Sequence, residues 1–304
     1  MTVDVACVGT PFLDVIFRGL PVMPAAGEEV LASDVVIVPG AMANVAFALR
    51  QLGLDAVVCA PVGTNAAGRF LQQLMAEAGI PWIGAPAEAT SVSVGLPLDG
   101  DRAFVTVMPD AAIDMSAVAA LEPRAIVVNL PLPDGMPVGP RIFGVLGDPQ
   151  VDLVRDRPDE PLASLRALVV NEREARNLTG LTDAVEAAHQ IAARGCPVIV
   201  TRGERGAVAV TPSGQVVEAA AAPATAADTV GAGDLFTAAF VLADLADRSI
   251  EECLATATAY ASHSLARPAT RQKGLTRADF TDAIASTTGP EAWMLDAGGS
   301  RMRS

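Results

Sequence analysis

Lysine is nearly missing from this chain. Among 304 residues Lys273 is the only one, and the 21 Lys and Arg together face 35 Asp and Glu, a formal net charge of −14. No basic cluster stands out, which excludes recognition of nucleic acid or an anionic membrane surface through phosphate, because that affinity comes mainly from clustered Lys and Arg. The single lysine also removes the G-x-x-x-x-G-K-[ST] phosphate loop, since Lys273 follows Ala269-Thr270-Arg271-Gln272 and precedes Gly274. Histidine is scarce, at His189 and His263, and Cys7, Cys59, Cys196 and Cys253 lie far apart inside apolar segments. Without Cys-x-x-Cys or His-x-x-x-His spacing, no structural zinc site is expected, and the thiols are expected to be buried and reduced. Although half the residues are apolar, no uninterrupted apolar run reaches the roughly 18 residues of a membrane span. The start, Met1-Thr2-Val3-Asp4, lacks a basic segment followed by an apolar one, so no signal peptide is read and a cytoplasmic location is expected.

What is present is alternation. Short β-branched runs at 5–8, 56–60, 125–128, 142–146, 167–170 and 198–201 read as buried strands. Between and after them, helical periodicity predicts helices at 41–52, 66–78, 172–178, 183–194, 232–245, 250–266 and 277–285. This pattern implies an α/β fold with a predominantly parallel central sheet. Two segments break the rhythm: 12–18 with 29–38, and 91–98 with 102–108 around the hairpin signal Asp99-Gly100. Together they predict a small β-sheet lid over residues 11–40 and 91–109. The large domain is then expected over 1–10, 41–90 and 110–288, with a disordered tail over 289–304.

The segment Asp228-Thr229-Val230-Gly231-Ala232-Gly233-Asp234 stands directly before an apolar helical stretch. Small residues at 231–233 let the backbone turn tightly and present several N–H groups at a helix N-terminus, where the dipole favours negative charge. Such a turn is an anion hole. An aspartate held beside it can take a proton from a hydroxyl that attacks a phosphoryl group.

These seven residues resemble the C-terminal signature D-T-x-G-A-G-D of the ribokinase-like, or PfkB, carbohydrate kinases. Further resemblances follow in the family's order. Gly40-Ala41-Met42-Ala43-Asn44-Val45-Ala46, Leu52-Gly53 and Gly63-Thr64-Asn65-Ala66-Ala67-Gly68 are similar to its G-G-x-x-x-N-x-A, LG and G-x-D-x-x-G stretches. Asn171-Glu172-Arg173-Glu174 is similar to its N-x-x-E, and Thr201-Arg202-Gly203-Glu204-Arg205-Gly206 to its T-x-G-x-x-G. The resemblance implies a three-layer α/β/α ribokinase-like fold with a small β lid, and ATP-dependent phosphorylation of a primary hydroxyl of a sugar or sugar-like molecule.

By the same resemblance Asp234 is the catalytic base, and Gly231, Ala232 and Gly233 stabilise the transferring charge. Asn171, Thr201, Gly203 and Gly206 fall at nucleotide-binding positions, and Asp14, Gly40 and Asn44 at acceptor-binding ones. Glu174 matches a residue that acts on magnesium through water, and Asp228 one associated with a monovalent cation such as K+. Departures are visible: Pro39 replaces the first glycine of the pair, Asn65 the usual aspartate, and 267–274 lacks the usual Gly-Ala pair. ATP and Mg2+ are the implied co-substrate and cofactor, and exposed lid edges imply a homodimer joined through the lids. A nucleoside kinase of the same family is the nearest rival, disfavoured by the scarcity of aromatics beyond phenylalanine, one Tyr and two Trp. A non-catalytic sugar or nucleotide sensor is a further rival, which would not need Asp234.

Overall fold

The short strands that read as unbroken apolar runs do so because helices cover both faces of the sheet they build. The computed structural model describes residues 3–98, 101–109, 112–157, 160–222, 230–266 and 274–288. Asp99-Gly100, Asp228, most of the 267–274 segment and the tail from 289 therefore lie outside the described residues. In chain order the strands are β1 (Val5–Val8), β2 (Pro11–Arg18), β3 (Asp34–Ala41), β4 (Ala56–Cys59), β5 (Val62–Gly63), β6 (Trp82–Ile83), β7 (Pro86–Ala87), β8 (Ser91–Leu98), β9 (Asp101–Val107), β10 (Ala125–Asn129), β11 (Arg141–Val145), β12 (Ala167–Asn171), β13 (Val198–Thr201), β14 (Ala207–Val210) and β15 (Val216–Ala219). The helices are α1 (Met42–Gln51), α2 (Ala66–Glu77), α3 (Met115–Ala119), α4 (Asp148–Arg155), α5 (Glu172–Thr179), α6 (Ala184–Ala192), α7 (Ala232–Leu245), α8 (Ile250–Leu265) and α9 (Arg277–Thr288).

A nine-stranded sheet runs in the order β15-β14-β13-β12-β11-β10-β1-β4-β6. Pairing is parallel from β6 to β13, and the edge strands β14 and β15 are antiparallel. Alternate residues of each strand enter opposite cores. Val5 and Cys7 of β1 join Phe47, Leu71, Phe240, Leu254 and Phe280 from α1, α2, α7, α8 and α9. Ala6 and Val8 join Val118, Val154, Ala175 and Ile191 from α3, α4, α5 and α6. The result is three layers, α/β/α, as the ribokinase-like reading implies.

A second, four-stranded sheet has the order β3-β2-β8-β9. Its strand β3 runs into α1 without a loop, Ala41 alone making the turn at φ 49° and ψ −127°. The predicted strand 29–38 is corrected to Asp34–Ala41. Residues 29–33 are not strand, and Pro39 is accommodated because β3 is an edge strand with one side of its backbone unpaired.

Candidate active site

After β1 the chain first fills one side of the sheet with β4 and β6, then returns to build β10 and its successors on the other. That reversal opens a crevice at the carboxyl ends of β1 and β10, where ligands of open α/β sheets bind. Gly9 closes β1 at φ +148°, and a Cβ there would sit 2.2 Å from Asn129 Oδ1 at the end of β10. The close approach of these two strand ends therefore requires glycine.

The N-terminus of α7 points into this crevice. Gly231 is its N-cap in the left-handed conformation, φ 79°, and no side chain caps the helix. The first helical bond is Leu235 N–H to Gly231 O at 3.0 Å, so the N–H groups of the first turn face the crevice with the positive end of the dipole. Asp234 lies in that turn, and its Oδ2 accepts a 3.0 Å bond from Asn44 Nδ2 of α1. Gly231 touches the same amide: a Cβ on it would lie 2.4 Å from Asn44 Nδ2. Asn44, Gly231 and Asp234 are thus fitted together, and the amide fixes the direction in which the carboxylate points.

A cavity of about 250 Å³ opens on one side of this turn, lined by Phe12, Met42, Asn129, Glu174 and Asp234 among others. A larger one, about 570 Å³, opens on the other, between Thr201, Gly203, Gly206 and the α8 residues Thr258, Ala261 and Ser262. Asn171, Thr201, Gly231 and Gly233 line both. Asn171 caps α5: its Oδ1 accepts from Glu174 N–H at 2.8 Å, while its own N–H donates to Glu174 Oε2 at 2.9 Å. This reciprocal box holds Glu174 at the crevice, 7% exposed. Burial pushes its carboxyl up to about 7; the Asn171 N–H bond opposes the rise, and the charges of Asp148 and Asp234 add to it.

On the second sheet, Asp14 and Gly40 are packed together, a Cβ on Gly40 falling 2.2 Å from Asp14 Oδ2. Asp14 is buried and shares a face with Phe12, which lines the smaller cavity. At the opposite end of α7, the buried Asp244 binds Arg141 Nη1 and Arg166 Nε, each at 2.8 Å, and Arg124 donates to the Leu245 carbonyl at 3.2 Å. Three cations on the negative end of the dipole anchor the helix whose other end carries Asp234.

Residues 4–115 and 144–276 match the family described as pfkB family carbohydrate kinase. This chain belongs to that family. Among its relatives, the fructokinase of Klebsiella pneumoniae is 31% identical over 246 residues, 71% of this chain and 79% of that protein. The ribokinase of Arabidopsis thaliana, solved with ribose and ATP, superposes with a TM-score of 0.76 at 22% identity, covering 93% of this chain and 99% of the other. Adenosine kinase of Sinorhizobium meliloti shares the fold at a TM-score of 0.74 and 19% identity, covering 94% and 99%. Among the described residues, no helix of this pfkB-family chain is long and apolar enough to cross a membrane.

The residues singled out in the sequence gather here, except Asp228, which lies outside the described residues. Asp234, Gly231, Ala232, Gly233 and Asn44 form one unit, Asn171, Thr201, Gly203, Gly206 and Glu174 stand around the crevice, and Asp14 with Gly40 lies on the second sheet. Thr10, Asn129 and Gln150 also line the smaller cavity without having been singled out. Gly9 was the available signal, a glycine immediately after a buried strand.

Proposed function

We propose that the chain is an ATP- and Mg2+-dependent kinase that phosphorylates a primary hydroxyl of a sugar or sugar-like small molecule. The observation that carries this reading is Asp234, a carboxylate oriented by Asn44 in the first turn of a helix whose Gly231 and Gly233 line both cavities. Asp234 takes the acceptor hydroxyl proton as that oxygen attacks the γ-phosphorus of ATP; the bond to the β–γ bridging oxygen breaks, and ADP leaves with its electron pair. Backbone N–H groups at Gly231, Ala232 and Gly233 hold the charge on the transferring group. Thr201, Gly203 and Gly206 receive the nucleotide in the larger cavity, and Asp14, Gly40 and Asn44 serve the acceptor.

Glu174 would hold the magnesium ion through water, and Asn171 would face the nucleotide. One buried carboxylate at the crevice suits a cation that keeps most of its waters and takes further oxygens from phosphate. When bound, the ion neutralises charge on the phosphate oxygens.

The second sheet acts as a lid that excludes water from the activated phosphoryl group. Its outer face, Val35, Ile37, Val105 and Val107, is 39–66% exposed and apolar, which supports a homodimer formed lid to lid. The test of the kinase reading is ATP consumption, by a coupled ADP assay, over D-fructose, D-ribose and adenosine. Asp234→Asn is expected to lower kcat by about 10²- to 10⁴-fold while sugar binding persists. Unchanged turnover in that variant would remove the proposed mechanism.

A further inference from the structure

Cations are sparse around the crevice, and one of them stands where its helix disfavours it. Among the described residues no lysine or arginine lines the smaller cavity, and Arg173 alone lines the larger. Arg173 occupies the first turn of α5, between Glu172 and Glu174, with Asn171 as the N-cap. The positive end of a helix dipole favours the two glutamates there and disfavours the arginine. Burial is not what retains it, because the Arg173 side chain is 65% exposed. A residue that runs against its own helix at the wall of a ligand cavity marks a functional position.

Arg173 Nη2 meets Asp148 Oδ2 at 3.1 Å. Asp148 opens α4, where its charge suits the dipole, and about half of its side chain is open to water. An ion pair this exposed is weak, so the guanidinium can exchange it for a stronger anion. The neighbouring arginines are placed differently. Arg202 is largely buried against Glu218 of β15 at 3.0 Å, Arg205 pairs with Glu172, and neither lines the cavity. Asn171, Gly231 and Gly233 line both cavities, so under the kinase reading the transferring group stands at their junction. The β-phosphate then falls just inside the larger cavity, on the side that Arg173 lines.

Resting on that reading, we propose that Arg173 is a further catalytic residue, which exchanges Asp148 for the β-phosphate and stabilises ADP as the leaving group. The acceptor oxygen bonds to the γ-phosphorus, the bond from that phosphorus to the bridging oxygen breaks, and the electron pair stays on the bridging oxygen. The β-phosphate therefore gains negative charge. Arg173 donates N–H bonds to it and keeps its own proton, while the proton of the acceptor goes to Asp234. In bound ATP the charge is spread over three phosphates and Asp148 still competes for the guanidinium. The exchange is completed as charge gathers on the β-phosphate. An interaction that strengthens in this way raises kcat and leaves the ATP KM nearly unchanged. The peptide groups of Gly231, Ala232 and Gly233 act on the transferring group, and Arg173 acts at the other end of the breaking bond.

The test combines steady-state kinetics, on whichever of D-fructose, D-ribose and adenosine the wild type phosphorylates best, with calorimetric titration of MgADP. Arg173→Ala should lower kcat by roughly 10²-fold with the ATP and acceptor KM near wild type. Its ADP affinity should fall about 10-fold, because ADP carries the charge that the β-phosphate gains. The melting temperature should stay near wild type, since the side chain is exposed. Arg173→Lys should recover part of both losses, keeping the charge without the guanidinium fork. Asp148→Asn should tighten ADP by about 2- to 5-fold by releasing Arg173, and should do much less in the Arg173→Ala background. Wild-type kcat in Arg173→Ala, equal weakening of ATP and ADP, or an Asp148→Asn effect that is undiminished without Arg173 would each overturn this role while leaving the kinase intact. A wild-type enzyme that consumes ATP on none of the three acceptors would overturn the kinase reading and this role with it.

Discussion

Gly231→Ala separates the geometry of the proposed base, Asp234, from the stability of the fold. The native φ of +79° is left-handed, and alanine pays about 1–2 kcal/mol to adopt it. The added methyl carbon would fall 2.4 Å from Asn44 Nδ2, closer than real contacts allow, so the amide must shift. Asn44 is 7% exposed and sits in a helix whose other faces are packed, which leaves it little room to do so without losing its 3.0 Å bond to Asp234. A hydrogen bond to a charged group contributes about 1.5–3 kcal/mol, and a base misplaced by about 1 Å loses on the order of 10²-fold in rate. Expected, then, are a kcat lowered about 10²-fold and a melting temperature lowered by about 2–5 °C. Gly53→Ala is the matching control: it follows α1 at φ +85°, and nothing lies within 4 Å of an added Cβ. That variant should show a similar loss of melting temperature with kcat unchanged. Steady-state kinetics and thermal melts on both proteins decide the matter. If Gly231→Ala keeps the kcat of Gly53→Ala, the contact among Gly231, Asn44 and Asp234 does not orient the base.

Glu174→Gln should change how stability depends on pH in the absence of nucleotide and metal. The folded carboxyl titrates near 7 and the unfolded one at its ordinary 4.5, so the folded state holds a proton that the unfolded state has released. Stability therefore falls as pH rises from 4.5 to 7, by at most about 3 kcal/mol, and this decline should vanish in Glu174→Gln melts across that range. An unchanged pH profile would mean that the site hydrates its carboxylate. For the outer face of the second sheet, Val105→Asp with Val107→Asp should convert the proposed dimer to a monomer in sedimentation velocity, since both side chains are more than 60% exposed in the single chain. A monomeric wild type would remove the lid-to-lid arrangement.

The main sheet was legible because each of its central strands is apolar on both faces, and the turn that opens α7 because glycines and an aspartate stand directly before an apolar helix. The edge was less so. β14 is Ala207-Val208-Ala209-Val210, too short and too rich in alanine to announce a strand, yet it is fully buried because β15 pairs with its edge and α6 and α8 cover its two faces. α4 was missed for a different reason: Pro149 sits in its first turn and its sequence is polar on average, features that also describe a loop. No local pattern discloses that Asn44 meets Asp234 across 190 residues, since the contact exists only when α1 and α7 pack side by side.

The shortage of cations acquires a structural meaning from where the arginines lie. Arg124, Arg141 and Arg166 stand at the amino ends of the strands and bind the carboxyl end of α7. Among the described residues, those near the larger cavity already face carboxylates: Arg173 meets Asp148 at 3.1 Å, Arg202 meets Glu218 at 3.0 Å, and Arg205 pairs with Glu172. An incoming triphosphate would have to compete with those carboxylates to recruit any of the three. Backbone N–H groups carry no counter-charge to displace, and three arginines fix the far end of the helix that presents them. Under the kinase reading, then, the anion is held by the peptide groups of α7, and the arginines act on it from the other end of the same dipole.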